Sequence, residues 1–151
     1  MKLCGILFYH PKNPQNLADI ATLAAHKRIP LVVVKRPGTA LPGRQQLPPR
    51  AQVEFVERIQ QVEDIISVNA LYVVLETYGL SYVHELELGA DVECVVLVVG
   101  AEDYGIPEEV VGELPGEKII AKIPVSVQGM SYNVVVSTAI GLYELEKRVN
   151  A

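Results

Sequence analysis

The sequence contains no apolar run approaching the roughly 20 residues that a membrane-spanning helix needs. Uncharged stretches such as 95–101 (VVLVVGA) fall far short of that length, so no transmembrane helix is expected. The N-terminal MKLCGILFYHP carries one lysine and a short apolar segment but no small-residue cleavage site. It reads as the first strand of a cytoplasmic protein, not as a secretion signal. Cysteine is scarce. Cys4 and Cys94 both sit in apolar, strand-like runs, where a thiol behaves as a small hydrophobe. Without a secretion signal, two buried reduced thiols are expected in place of a disulfide. The three histidines, His10, His26 and His84, lie at no ligand spacing; with only two cysteines beside them they offer no structural zinc site, and no metal is expected. Neither GxGxxG nor GxxxxGK[ST] occurs, which argues against a small α/β nucleotide-binding protein of the ordinary kinds.

What is present suits one domain. With 151 residues, half of them apolar and 21% charged, the chain has material for a full core and is not a disordered segment. A single domain over residues 1–151 is expected, with no internal repeat. The net charge of −5 divides unevenly: residues 1–50 hold Lys2, Lys12, Lys27, Arg28, Lys35, Arg36, Arg44 and Arg50 against Asp19 alone, which is +7, and the remainder carries −12. Such asymmetry suits a basic docking face for a polyanion beside an acidic, solvated body. It is equally compatible with charges scattered without a role.

Runs rich in Val, Ile and Leu recur at 2–9, 30–35, 71–76, 93–99 and 118–123. They are continuous, not alternating, as expected of strands buried on both faces. Helical spacing fills the gaps. In 14–27, Leu17, Ile20, Ala21 and Ala24 mark one face, with Asn13 as cap and Pro14 at the first helical position. In 51–66, Val53, Val56, Ile59 and Val62 mark a second helix, and a third is predicted over about 132–148 with Ser131 as cap and Val135, Thr138, Ala139 and Leu142 on its stripe. The segment 37–50 holds four prolines and two glycines and reads as a loop. Strands alternating with helices give an α/β fold with a mostly parallel sheet.

Two stretches carry the chemistry. In the first, the strand at 95–99 stops at Gly100 and continues Ala101-Glu102-Asp103-Tyr104-Gly105-Ile106-Pro107; in the second, Ile123-Pro124-Val125 is followed by Ser131-Tyr132-Asn133-Val134 and a helix ending in Tyr143-Glu144. A glycine closing a buried strand lets a ligand approach the backbone at the carboxyl end of a sheet, where α/β proteins bind their ligands. Taken together, in this order and spacing, the stretches resemble the second and third motifs of the SpoU/TrmH branch of the SPOUT RNA methyltransferases. The family's first motif, an Asn followed six residues later by Arg, is matched by Asn16, but the Arg position holds Thr22.

The resemblance implies a single-domain SPOUT-type α/β knot with a deep C-terminal trefoil knot, no appended RNA-binding domain, a homodimer, and S-adenosylmethionine as cofactor. Its implied activity is 2′-O-ribose methylation of RNA, tRNA or rRNA. By position, Leu75, Thr77, Gly100, Ile123, Ser131 and Tyr132 would hold the cofactor, while Asn16, Glu102 and Asn133 would form the catalytic cleft. A sulfonium-to-hydroxyl transfer relies on positioning and on a group that takes the proton or stabilises the forming alkoxide. Thr22 supplies neither charge role. Either another arginine, with Arg28, Arg36 or one from a second subunit as candidates, replaces the family's, or the chain is a non-catalytic knotted module that binds RNA or a partner.

Overall fold

The computed structural model describes residues 1–66, 69–125 and 132–150. Its five apolar runs are strands: β1 (Lys2–Tyr9), β2 (Leu31–Val34), β4 (Ala70–Leu75), β6 (Cys94–Val99) and β7 (Glu117–Lys122). Two short strands complete one all-parallel sheet, β3 (Val53–Val56) and β5 (Ser81–Tyr82), in the order β3-β2-β1-β6-β4-β7-β5. Side chains alternate across the strands, so both sheet faces are apolar. Ile6, Phe8, Leu31, Val33, Val73, Val95 and Leu97 meet Leu17, Ile20, Leu142 and Leu145 of the two long helices. Leu7, Val32, Val74, Val96 and Val98 meet Ile59, Val62, Ile106, Val111 and Leu114 on the other face.

Helix α1 (Pro14–Lys27) forms as the sequence predicts, with Asn13 accepting hydrogen bonds from the N–H groups of Gln15 and Asn16. A short α2 (Glu108–Val111) follows Pro107, and α3 spans Val134–Val149. Its cap is Asn133, whose side chain accepts from Val135 N–H at 2.8 Å; Ser131, the predicted cap, lies outside the described residues. The buried stripe is also rotated from the predicted one, to Thr138, Gly141, Leu142 and Leu145, leaving Ala139 exposed. Gly141 is the contact point: a Cβ there would stand 2.9 Å from Leu75 and 3.1 Å from Leu97, so its absence seats α3 on β4 and β6.

Two expectations are corrected. The helix predicted over 51–66 is instead β3 followed by a 3₁₀ turn at Ile59–Asp64. The residues Val53, Val56, Ile59 and Val62 are buried as predicted, but β2 would otherwise expose a row of unpaired backbone groups, and β3 satisfies them, with Leu31 and Lys35 donating to Gln52 and Val56. The two cysteines are not free thiols: Cys4 and Cys94 form a disulfide. The sheet order makes β1 and β6 neighbours, and the pairing slips between Leu3 and Gly5, setting Cys4 beside Cys94. The basic first third is also less bare than its charge suggests. Lys12 and Arg36 pair with Asp103, Lys27 with Glu146, Lys35 with Glu57 and Arg44 with Glu54.

Candidate functional site

The strands β6, β4 and β7 are consecutive neighbours in the sheet, so the loops that leave their carboxyl ends emerge side by side. Between these loops and the start of α3 lies a cavity of about 1060 Å³. It is lined by Asn16, Leu75, Thr77, Gly100, Glu102, Ile123, Tyr132 and Asn133. These are all the candidate residues named from the sequence except Ser131, which lies outside the described residues. The lining also includes Glu76, Tyr82, Asp103, Tyr104, Lys122 and Ser137.

Backbone contacts shape the inner wall. Ala101 and Gly105 exchange hydrogen bonds of 3.1 and 2.8 Å, closing a tight turn. Gly100 packs directly against it: a Cβ at Gly100 would lie 2.5 Å from the Gly105 carbonyl carbon and 2.6 Å from the Ile106 nitrogen. The glycine is therefore required by the turn itself. Where the sequence reads this glycine as an opening for a ligand, the geometry has it closing the turn. Gly105 has φ +63, and a Cβ on it would collide with the Glu76 carboxylate, so this position needs glycine for both conformation and space.

That carboxylate belongs to the loop after β4. It accepts from Ile106 N–H at 2.7 Å and from Thr77 N–H at 3.1 Å. Burial raises its pKa, and the two backbone donors oppose the rise. Tyr78 donates its hydroxyl to the Ile106 carbonyl, and burial together with Glu76 pushes that phenol up to about 12. Glu76 and Tyr78 thus grip both ends of one residue, and they lock the β4 loop to the β6 turn. No signal in the sequence marks Tyr78 for this role.

Side chains shape the outer wall. Glu102 accepts from the backbone N–H groups of Lys12 (2.8 Å) and Asn13 (2.7 Å) and from Asn16 Nδ2 (3.2 Å). It therefore fastens the β6 turn to the beginning of α1, where a negative charge also suits the helix dipole. Thr22 is exposed, and its hydroxyl donates to the Ala18 carbonyl at 3.0 Å. Of the arginines considered as replacements, Arg28 caps the far end of α1, about 20 Å along the helix from its start. Arg36 is brought to the site: its guanidinium meets Asp103 at 2.6 Å and lies 4.5 Å from the centre of the Tyr104 ring. That hydrogen bond holds the Asp103 carboxyl below its ordinary value. Tyr104 and His10 were not singled out from the sequence, although Tyr104 stands inside the second motif.

Residues 4–143 match the SpoU rRNA methylase family. No curated protein matches the chain. Among solved structures, one described as giving insights into the 2-OH methylation of C/U34 on tRNA superposes with a TM-score of 0.79 at 23% identity, over 100% of this chain and 93% of that one. An RNA methyltransferase from Bacillus anthracis, so described provisionally, gives 0.78 at 20% identity, over 97% and 94%. The SpoU methyltransferase AviRb from Streptomyces viridochromogenes, in complex with AdoMet, gives 0.74 at 19% identity over 97% of this chain and 58% of that one. These likenesses establish the fold, and the family match covers nearly the whole chain. The chain belongs to the SpoU rRNA methylase family, the S-adenosylmethionine-dependent RNA methyltransferases.

Proposed function

We propose that this chain methylates the 2′-hydroxyl of a ribose in tRNA or rRNA, acting as a single-domain, trefoil-knotted homodimer. The observation that carries the reading is the single cavity in which eight of the nine candidate residues converge from three adjacent strand ends, α1 and α3. The lining suits S-adenosylmethionine. Leu75, Val99, Ile123 and Val134 offer apolar walls for an adenine, Gly100 lines the same cavity, and the carboxylates of Glu76 and Glu102 suit a cation. When bound, that cofactor supplies an electrophilic methyl group on a sulfonium.

The chain's own residues then have distinct tasks. Asn16, already donating to Glu102, keeps a carbonyl oxygen able to orient a ribose hydroxyl. Asn133, already accepting from Val135, keeps an amide able to donate. Glu102, accepting from three N–H groups, holds Asn16 and the start of α1 against the β6 turn. The assembly part of the reading is supported by α3, whose outward-facing Val136 and Tyr143 are 45 and 63% exposed. Apolar stripes of that kind mark protein contacts.

Calorimetric titration with S-adenosylmethionine, followed by transfer of a labelled methyl group to total tRNA and rRNA with nucleoside analysis, tests the reading. Binding and a 2′-O-methylated nucleoside are expected. Binding without transfer to either RNA would favour the alternative, a non-catalytic knotted module that binds RNA or a partner, which the Thr22 substitution specifically favours. Light scattering should give twice the chain mass of 16.5 kDa.

A further inference from the structure

The resemblance sets Thr22 where the family has an arginine, and the rim of the cavity nearest α1 holds a titratable pair. His10 directly follows β1 and adopts φ +53, a left-handed conformation uncommon outside glycine. This turns its ring onto Tyr9, with centroids 3.8 Å apart, and sets its Nδ1 2.6 Å from the Tyr104 hydroxyl. Tyr104 lines the cavity beside Glu102 and Asn16 and is 47% exposed. Its ring is backed by Arg36, whose guanidinium is itself fixed by Asp103 and whose Nη1 is buried without a hydrogen-bond partner among the described residues. Tyr104 is therefore held from two sides with its oxygen at the cavity rim.

We propose, resting on the reading of this site as a ribose methyltransferase, that Tyr104 is a catalytic residue that takes the ribose 2′-hydroxyl proton, with His10 as the positioning base behind it and Arg36 stabilising charge on the phenol oxygen. The transfer balances. A bond forms between the ribose oxygen and the methyl carbon, the carbon–sulfur bond breaks, and its electron pair stays on sulfur. The hydroxyl proton moves to the Tyr104 oxygen as the phenolic proton moves to His10 Nδ1. His10, which is half-buried, then loses a proton to water.

The surroundings of His10 set the form in which its ring rests before the step. Tyr9 stacks on it from β1, Arg36 approaches from the segment after β2, and Tyr104 approaches from the β6 turn, with Lys12, Glu102 and Asp103 further along the same wall. Burial first, and then the Arg36 charge, hold the imidazole below its ordinary value of 6.5. It is thus neutral at pH 7, and its Nδ1 accepts the phenolic hydrogen.

The test uses the full chain. Tyr104→Phe keeps the ring over Arg36, and His10→Asn retains a residue tolerant of positive φ. Single-turnover transfer in the parent should rise with pH along a limb set by His10. Tyr104→Phe should lower the rate about 100-fold with S-adenosylmethionine affinity, read by calorimetry, unchanged within about twofold; His10→Asn should abolish the pH limb. In the cofactor-free protein, NMR titration of His10 should show its pKa moving upward in Tyr104→Phe, because the lost donor had favoured the neutral ring. Transfer that persists in Tyr104→Phe, or a His10 titration unmoved by that change, would overturn the assignment alone. A parent that binds S-adenosylmethionine but transfers nothing would overturn the methyltransferase reading and the assignment with it.

Discussion

The two walls of the cavity are built by different means. The ends of β4, β6 and β7 are joined through backbone groups, with Gly100 pressed against the Gly105 turn and Ile106 held by Glu76 and Tyr78. The ends of β1 and β2 are joined to the β6 turn through the charged groups Glu102, Lys12, Arg36 and Asp103. A wall made of backbone admits almost no added atom, whereas a wall made of side chains can exchange one residue for another and keep its shape. That contrast separates positions where the cavity admits only glycine, Gly100 and Gly105, from positions where side-chain pairs set its shape.

The strongest attempt to break the contrast is Gly100→Val. Its Cβ meets backbone atoms that cannot swing aside, so a stability loss of about 3 kcal/mol is expected, along with loss of S-adenosylmethionine binding. Thermal unfolding and calorimetry check both. Normal stability with normal affinity would show that the inner wall yields after all.

Glu76 gives the next largest effect and sharpens the contrast. Glu76→Ala leaves the Ile106 and Thr77 N–H groups without their acceptor and should cost about 1–3 kcal/mol, with weakened cofactor binding. Glu76→Gln keeps an acceptor and should stay within about 1 kcal/mol of the parent. The sign of its pH dependence follows from the raised folded pKa. The Glu76 contribution is fully present below the ordinary value near 4.5 and is lost as pH rises through the folded value. Urea unfolding against pH should therefore show Glu76→Gln gaining on the parent over that window.

Away from both walls, changing Arg44 and Arg50 together to Glu should weaken RNA binding about tenfold in low salt and have little effect near 0.5 M, since phosphate contacts are lost through counterion release. Filter binding across a salt series measures this. An effect indifferent to salt would remove these arginines from any phosphate contact. The smallest effect is expected from Thr22→Arg. An exposed residue bonded only to its own helix can change within about 0.5 kcal/mol. If Tyr104 already takes the proton, the transfer rate should move no more than about threefold. A tenfold gain would show that the outer wall still waits for the arginine.

The inner wall is largely legible in the sequence. Its strands announce themselves by unbroken apolar runs, and Gly100, Ile123 and Asn133 sit in motifs whose spacing is local. In the outer wall Asn16 and Glu102 are legible as motif residues, whereas the meeting of His10 with Tyr104 is not, because that contact crosses the sheet. His10 and Tyr104 are 94 residues apart and meet only because β6 pairs with β1. The same adjacency brings Cys4 to Cys94. The segment 51–66 misleads for another reason: its apolar spacing serves a helix face as well as an edge strand and a 3₁₀ turn, and the open edge of β2 decides between them.

The placement of β6 between β1 and β4 also has a consequence for biogenesis. As the chain leaves the ribosome, β1, β2 and β3 can associate early, and β4 follows, but the strand that must separate β1 from β4 is not complete until Val99. Through that interval the inner edge of β1 has no partner, so the nascent protein carries an open, apolar edge of the kind that invites misassembly. Both walls of the cavity depend on this late strand, because the turn that leaves it carries Gly100, Glu102 and Tyr104.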